Sequence, residues 1–162
     1  MKITVREARA SELELIQAFT VRAFEPVFAS FKRILGARIY PHAYPDWQKL
    51  QSDLVESLYN DKNMNVRVAD LNGQAVGLVA YEMDKETEQG VIEFLVVHPD
   101  HQNAGVGTAL NEYALEKMRE AGMKVAIVGT GGDDSHAPAR KAYEKVGFVA
   151  LPSVWYFKNL DD

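Results

Sequence analysis

The apolar and polar positions at the start of the chain alternate as in a strand and then take a helical period. Residues 3–7 alternate, which predicts a β-strand. Ser11 follows as a candidate N-cap, with Glu14 at the capping-box position. We expect a helix from Ser11 onward, a shorter helix over about 27–35, and then a loop. A further amphipathic helix is predicted to begin at Asp46.

The middle of the chain has the pattern of a β-sheet. Residues 66–71 and 74–83 are strand-like runs separated by Asn72-Gly73, a dipeptide typical of hairpin turns. Residues 91–97 form a nearly continuous apolar run, which predicts a strand buried on both faces. These strands are expected to form the centre of the sheet.

Helices and strands alternate in the remainder of the chain. Helical periodicity over 105–121 precedes a predicted strand at 125–128. A short helix is predicted over 137–146, and two strands are predicted to follow, at 148–151 and 154–157. This order of elements predicts an α/β protein with a mixed sheet.

Composition fits one globular domain and limits its partners. The 162 residues are 47% hydrophobic and 25% charged, with a net charge of -5, which argues against a broad nucleic-acid-binding surface. The N-terminal residues are charged where a signal peptide is apolar, and no apolar run approaches the roughly 18 residues of a membrane span. We therefore expect a cytoplasmic protein without a membrane partner.

The absence of cysteine excludes some chemistry. With Cys 0, the chain has no thiolate metal site and no cysteine nucleophile, so any group transfer is expected to be direct. His98 and His101 form a close pair without an obvious third ligand, and no metal site is expected there.

Two glycines at the start of the predicted helix 105–121 suggest an anion site. Gly105 and Gly107 follow the apolar strand and a turn at Pro99. Unpaired N–H groups at a helix start bind phosphate, and glycine lets the phosphate approach the backbone. The alternative is a helix start that only needs glycine geometry. Neither the P-loop nor the dinucleotide fingerprint fits, because the required lysine and third glycine are missing.

These residues resemble two motifs of the GNAT superfamily of N-acetyltransferases. The motifs are Val97-x-Pro99-x-x-Gln102-x-x-Gly105-x-Gly107 and Ala139-x-x-x-Tyr143-Glu-x-x-Gly147-Phe148. The first is similar to the pyrophosphate-binding turn of that family, and the second to its tyrosine-containing helix. The resemblance implies a mixed, mostly antiparallel sheet of about six to seven strands flanked by about four to five helices. It implies one domain over 1–162, with acceptor-side helices at about 11–60 and an acetyl-CoA-binding core at about 91–148.

The resemblance further implies acetyl-CoA as the acetyl donor. The implied cofactor-binding residues are Leu95, Val96, Val97, Gln102, Asn103, Ala104, Gly105, Val106, Gly107, Thr108, His136, Ala139 and Tyr143. The turn lacks the arginine or lysine that the family often has, so binding is expected to depend on backbone donors and on His101 or Lys141. His136 stands where the family often has asparagine, and with Asp133 and Asp134 it either faces the substrate or caps the helix.

Acetyl transfer to an amine needs an acid for the leaving thiolate and stabilisation of an oxyanion. By resemblance, Tyr143 occupies the position of the general acid, and the alternative is an inward-packed helix residue. A main-chain N–H near Leu95 or Val96 is the expected oxyanion donor.

Glu93 is the candidate general base. It is the one charged residue within 91–97, where burial without a partner would be costly. Strand alternation predicts that it shares a face with Leu95 and Val97. It either accepts the proton of the amine, directly or through water, or is a carboxylate that orients the acceptor or faces water.

An aromatic segment follows the first predicted helix. Tyr40, Tyr44 and Trp47 are candidates for a wall that binds the acceptor amine, with Glu25 or Asp46 as an anionic attractor. The phenylalanines of this segment are expected to pack in the core.

The predicted function is an acetyl-CoA-dependent N-acetyltransferase that acts on a primary amine of a small molecule or peptide through a ternary complex. The alternatives are a CoA-binding regulatory module of the same fold without turnover, and a protein or peptide N-acetyltransferase. An apolar edge near 154–157 is a candidate homodimer contact.

Overall fold

Five strands lie side by side in the order in which they occur in the chain. The structure is a computed structural model that describes residues 2–161. Its strands are β1 (Thr4–Glu7), β2 (Asn65–Leu71), β3 (Gln74–Asp84), β4 (Gln89–Val97) and β5 (Val125–Val128). The first four strands pair antiparallel, and β5 pairs parallel to β4. The expected mixed, mostly antiparallel sheet is confirmed.

Helices cover both faces of the sheet. They are α1 (Leu13–Ala43), α2 (Trp47–Asn60), α3 (Val106–Glu120) and α4 (Ala137–Lys145). One apolar cluster lies between the sheet and the helices α1 and α2, and includes Phe94 and Val96 of β4. A second cluster lies between the sheet and α3, and includes Ile92 of the same strand. The sheet is therefore buried on both faces, as the apolar run in β4 predicts.

The first helix is longer than its sequence predicts. Ser11 lies in a 3-10 turn before α1 and does not cap it; instead, the Glu12 carboxylate accepts a hydrogen bond from the backbone N–H of Arg9 (2.9 Å). The predicted loop after residue 35 is wrong, because helical structure continues to Ala43 with a change of direction at Gly36, where φ is 74°. The breaking signal at Gly36 therefore produces a kink between two helical segments and not a loop.

The two strands predicted after α4 are also wrong. Residues 148–161 form no helix or strand, so the sheet has five strands rather than six or seven. A strand needs a hydrogen-bonded neighbour, but this segment leads instead to the end of α1. There, the ring of Phe157 lies 6.3 Å from that of Tyr44. Val149 and Leu151 are each 94% exposed.

Candidate active site

Strands β4 and β5 separate part of the way along the sheet. Their pairing ends where Ile92 opposes Val128, whereas β4 continues to Val97. Over 94–97, β4 therefore pairs with β3 alone. Main-chain N–H and C=O groups on the free side of β4 are available to an extended ligand. Leu95 and Val96, two of the residues predicted to bind the cofactor, lie on this open edge.

The open edge of β4 leads into the start of α3. Gly105 is the N-cap, with a left-handed backbone (φ 85°), and no side chain caps the helix. The N–H groups of Val106, Gly107 and Thr108 lie in the first turn, where an α-helix has no acceptors of its own for them. The partial positive charge of a helix start favours an anion.

The glycine at position 107 is not required by packing inside the chain. A Cβ atom added there would meet only Val97 Cγ2, at an ordinary van der Waals distance of 3.6 Å. Space is therefore open beside this backbone, next to the uncapped helix start. This arrangement fits the pyrophosphate of coenzyme A, which the sequence resemblance implies at this position.

The turn between β4 and α3 is fixed to the rest of the fold. The backbone N–H of His98 donates to Val76 O (2.8 Å), and His98 Nδ1 accepts from the N–H of Asp100 (3.1 Å). Arg22 on α1 pairs with Asp100 (3.2 Å). Burial lowers the pKa of His98, which favours the neutral ring. Within residues 2–161, no group of three potential ligands is placed to hold a metal ion.

Glu93 is the extra residue of a β-bulge. Ala80 of β3 opposes Phe94, but the next residue, Tyr81, opposes Ile92, so Glu93 has no partner across the ladder. Its carboxyl group lies beside that of Glu82. Burial and the neighbouring Glu82 carboxyl raise the pKa of Glu93.

The bulge corrects the predicted face of Glu93. Glu82 alternates with Tyr81, whose ring packs under α3, so Glu82 lies on the face of the sheet covered by α1 and α2. The contact with Glu82 places Glu93 on that face too. Leu95 and Val97 pack in the α3 cluster instead. Glu93 remains exposed to solvent, so the burial that raises its pKa is only partial.

Tyr143 lies half-buried on α4. Its ring makes an edge contact with Phe148 (5.8 Å between centroids, 79° between planes), and burial raises its pKa. Its hydroxyl has no hydrogen-bond partner within residues 2–161. Ala139, also predicted to bind the cofactor, lies one turn earlier on the same helix. The phenol is thus held protonated and available as a donor.

The start of α4 is organised by Asp133. This carboxylate accepts hydrogen bonds from Ser30 Oγ (2.7 Å) and from His136 Nδ1 (2.5 Å). Ser30 is buried on α1. Sequence analysis did not identify Ser30, because it lies 103 residues from Asp133 along the chain and no sequence motif contains both residues.

A cleft beside α1 and α2 contains the predicted acceptor wall. Tyr40, Tyr44 and Trp47 line it together with Glu25, and its volume is about 420 Å³. Asp46, the other predicted attractor, instead caps α2 by accepting from the N–H of Lys49 (3.4 Å).

The aromatic side chains of this cleft form a connected series. Phe28 stacks on Trp47 (4.5 Å between centroids) and meets Tyr44 edge-on (5.4 Å). Phe31 stacks on Tyr44 (5.4 Å) and also on His136 (5.8 Å). This series of ring contacts connects the cleft to the start of α4, although Phe31 and His136 do not line the cleft itself. None of the helices within residues 2–161 combines the length and apolar character needed to cross a membrane.

Comparison with known proteins agrees with this architecture. The family model described as the acetyltransferase (GNAT) family matches residues 33–148, more than half of the chain. The S-(2-succino)cysteine N-acetyltransferase of Bacillus subtilis (strain 168) is 29% identical over 154 residues, covering 92% of this chain and 86% of that protein.

Solved structures share the fold. A GNAT-family acetyltransferase from Brucella melitensis in complex with acetyl-CoA has a TM-score of 0.62 at 24% identity, covering 92% of this chain and 84% of the other. A Desulfovibrio desulfuricans protein assigned to the same family has a TM-score of 0.69 at 19% identity, covering 93% and 87%. The divided sheet, the uncapped glycine turn and the family match lead to one conclusion: this chain belongs to the acetyltransferase (GNAT) family.

Proposed function

We propose that this acetyl-CoA-dependent acetyltransferase transfers the acetyl group directly to a primary amine of a small molecule within a ternary complex. One observation carries the proposal: the separation of β4 from β5 after Ile92 and Val128 leaves a free strand edge that leads to the uncapped start of α3. This edge can hold a long cofactor on one side of the sheet, while the aromatic cleft of α1 and α2 receives an amine from the other.

The residues available to acetyl-CoA are mainly backbone donors. Leu95, Val96 and Val97 present the free edge of β4, and the turn from Gln102 to Thr108 presents the N–H groups of Asn103, Ala104, Gly105, Val106 and Gly107. Ala139 and Tyr143 present one face of α4. When bound, acetyl-CoA supplies an acetyl group activated as a thioester. No lysine or arginine lies in the turn 102–108, so the helix start supplies the positive potential.

Tyr143 is proposed as the general acid. The thiol that leaves must gain a proton, and a phenol whose pKa is raised by burial stays protonated at neutral pH. Its hydroxyl is not engaged by another side chain within residues 2–161. Charge that develops on the acetyl oxygen can be stabilised by a main-chain N–H of Leu95 or Val96.

Glu93 is proposed as the base that takes a proton from the ammonium form of the acceptor. Its pKa is raised by burial and by Glu82, which makes it a stronger base than an ordinary carboxylate. The two carboxyl groups also provide a negative site that attracts a cationic amine.

The acceptor is proposed to be a small primary amine bound by Tyr40, Tyr44 and Trp47. Aromatic faces bind ammonium groups, and Glu25 adds a negative charge to the same cleft. The Bacillus subtilis relative is named for a modified cysteine, an amino-acid-sized acceptor, and this supports the choice of a small molecule over a protein.

We also propose a homodimer formed through residues 148–157. Trp155 is 84% and Tyr156 92% exposed, and β5 is an edge strand with Val125 and Ile127 partly exposed. Apolar strand-like segments and open sheet edges are usually covered in native proteins. A second copy supplies both the missing strand and the missing edge.

The test of function is thiol release from acetyl-CoA with both substrates varied. The chain has no cysteine of its own to contribute background. Intersecting double-reciprocal lines are expected for direct transfer in a ternary complex, and parallel lines contradict it. Tight binding of acetyl-CoA without release for any amine supports the regulatory module instead.

A further inference from the structure

Asp133 and His136 form an ordered pair at the start of α4. Asp133 Oδ1 accepts from His136 Nδ1 at 2.5 Å, and Asp133 Oδ2 accepts from Ser30 Oγ at 2.7 Å. Ser135 donates both its hydroxyl and its backbone N–H to the same carboxylate. The two paired side chains are only 13% and 16% exposed. Both oxygens of the carboxylate are thus engaged by the protein.

The loop that carries the pair is itself fixed. Arg140, in α4, donates to the carbonyl oxygens of Gly131 (2.6 Å) and Asp133 (2.8 Å). A Cβ atom at Gly131 would lie 2.4 Å from His136 Nδ1, so only glycine permits this approach. The ring of His136 is therefore held in one orientation by the loop below it and by Phe31 stacked on its face.

This geometry fixes which ring nitrogen carries the proton. Hydrogen bonds from Ser135, Ser30 and His136 outweigh the burial that opposes ionisation, and hold the pKa of Asp133 well below its usual range. A carboxylate accepts, so His136 Nδ1 must donate, and the lone pair is left on Nε2. Within residues 2–161, Nε2 has no hydrogen-bond partner.

His136 also stands between the two halves of the candidate site. Phe31 joins its ring to Tyr44 of the acceptor cleft, with centroid distances of 5.8 and 5.4 Å. Tyr143 follows seven residues later in α4, which places it on the same face about 10 Å along the helix. The ring of His136 thus lies between Phe31, which contacts the acceptor wall, and the helix that carries Tyr143.

The proton balance of the reaction gives this nitrogen a role. An ammonium acceptor loses two protons when its nitrogen forms the new C–N bond, while the C–S bond breaks and the sulfur gains one proton. Glu93, exposed beside Glu82, is suited to the first proton, which passes to solvent. Tyr143 supplies the proton on sulfur. The second proton on nitrogen still needs an acceptor as the bond forms.

We propose that His136 Nε2 is this second proton acceptor, that His136 is a catalytic residue, and that Asp133 is the positioning residue that sets its tautomer. The inference rests on the proposed amine acetylation. The proton taken by Nε2 replaces the one that Tyr143 loses, directly or through water, and one proton leaves to solvent per turnover. The overall reaction converts an ammonium group and a thioester into an amide, a thiol and one proton.

Kinetics of matched histidine variants test the catalytic role. His136→Ala is expected to lower kcat about 10²- to 10³-fold, with little change in KM for acetyl-CoA, and added imidazole is expected to restore at least part of the rate. His42→Ala, a histidine at the end of α1 that pairs with Asp161, should keep the wild-type kcat and show no response to imidazole. A His136→Ala protein with wild-type kcat, or one altered only in KM for acetyl-CoA, overturns the proposal.

The tautomer provides a readout that needs no turnover. In ¹⁵N NMR of the imidazole groups, His136 is expected to be protonated at Nδ1 in the wild type and to lose this preference in Asp133→Asn, with a lower kcat and unchanged KM for acetyl-CoA. A ring protonated at Nε2 in the wild type overturns the inference. Absence of thiol release with every amine would contradict the proposed function itself. The NMR measurement needs no turnover, so it tests the tautomer of His136 separately from that function.

Discussion

The carboxyl group of Glu93 lies against that of Glu82 because β4 contains one residue more than β3 at this point of the ladder. Without the bulge, Glu93 would alternate with Ile92 as an ordinary strand residue and would have Tyr81 or Ala80 directly opposite. The extra residue instead places two acidic side chains on the face of the sheet that α1 and α2 cover. The neighbouring Glu82 carboxyl makes Glu93 harder to ionise.

This contact predicts a shift in the pH profile. The pKa of Glu93 is raised, so its basic form appears only above that raised value, and the rate should climb with pH through it. Glu82→Gln removes the neighbouring charge and lowers the pKa of Glu93. The acidic limb of the kcat/KM profile should therefore move to lower pH. Glu86→Gln, in the exposed loop after β3, is the matched control. An acidic limb at the same pH in the wild type and in both variants would exclude Glu93 as the base.

A substitution at Gly107 is expected to weaken the binding of acetyl-CoA without lowering the stability of the fold. Gly107→Ala should keep or raise the free energy of unfolding, by up to about 1 kcal/mol, because alanine favours the helix and the site has room for a Cβ. The affinity for acetyl-CoA should fall at least tenfold, since that methyl group enters the space beside the helix start. Calorimetric titration and chemical denaturation measure the two quantities.

The matched control for this glycine is Gly122. It ends α3 with φ at 81°, far from the turn 102–108 along the helix, and Gly122→Ala should lower stability by about 1 kcal/mol without changing the affinity for acetyl-CoA. If Gly107→Ala binds acetyl-CoA as tightly as the wild type, the helix start is not the pyrophosphate site.

Much of the architecture follows from local sequence signals. The Asn72-Gly73 turn forms as predicted, with φ of 56° and 89°, as does the α2 cap at Asp46. The bulge at Glu93 could not be predicted, because an apolar run does not indicate where a register shifts. The Ser30 contact with Asp133 was missed because it joins elements 103 residues apart.

Composition alone does not predict the structure of the last residues of the described chain. Residues 148–157 are rich in β-branched and aromatic side chains, which favour strands. A strand also requires a partner edge, and the segment leaves its own sheet to reach the end of α1, where Asp161 pairs with His42 (3.1 Å). Propensity alone therefore predicted two strands that the described part of the chain does not form.

The same segment predicts a concentration-dependent dimer. Light scattering should give a mass twice the 18.1 kDa of the chain. Joint substitution Leu151→Asp and Trp155→Asp should shift the mass toward one chain, because charged side chains oppose burial at an interface. A wild-type protein that scatters as a monomer at working concentration would exclude the dimer.

Removal of the Tyr143 hydroxyl is expected to slow acetyl transfer without weakening the binding of acetyl-CoA. Tyr143→Phe keeps the ring that packs against Phe148 and removes only the hydroxyl. We expect kcat to fall about 10²- to 10³-fold, with an unchanged dissociation constant for acetyl-CoA. A comparable loss of affinity would assign the hydroxyl to cofactor binding rather than to proton donation.

The most direct test of the central claim is thiol release from acetyl-CoA by the wild-type protein across polyamines, amino acids, aminoglycosides and short peptides. Direct acetyl transfer predicts release with one class of small amine, and a matching increase in the acetylated amine. Binding of acetyl-CoA with no release for any amine of the panel would contradict an N-acetyltransferase acting on small amines.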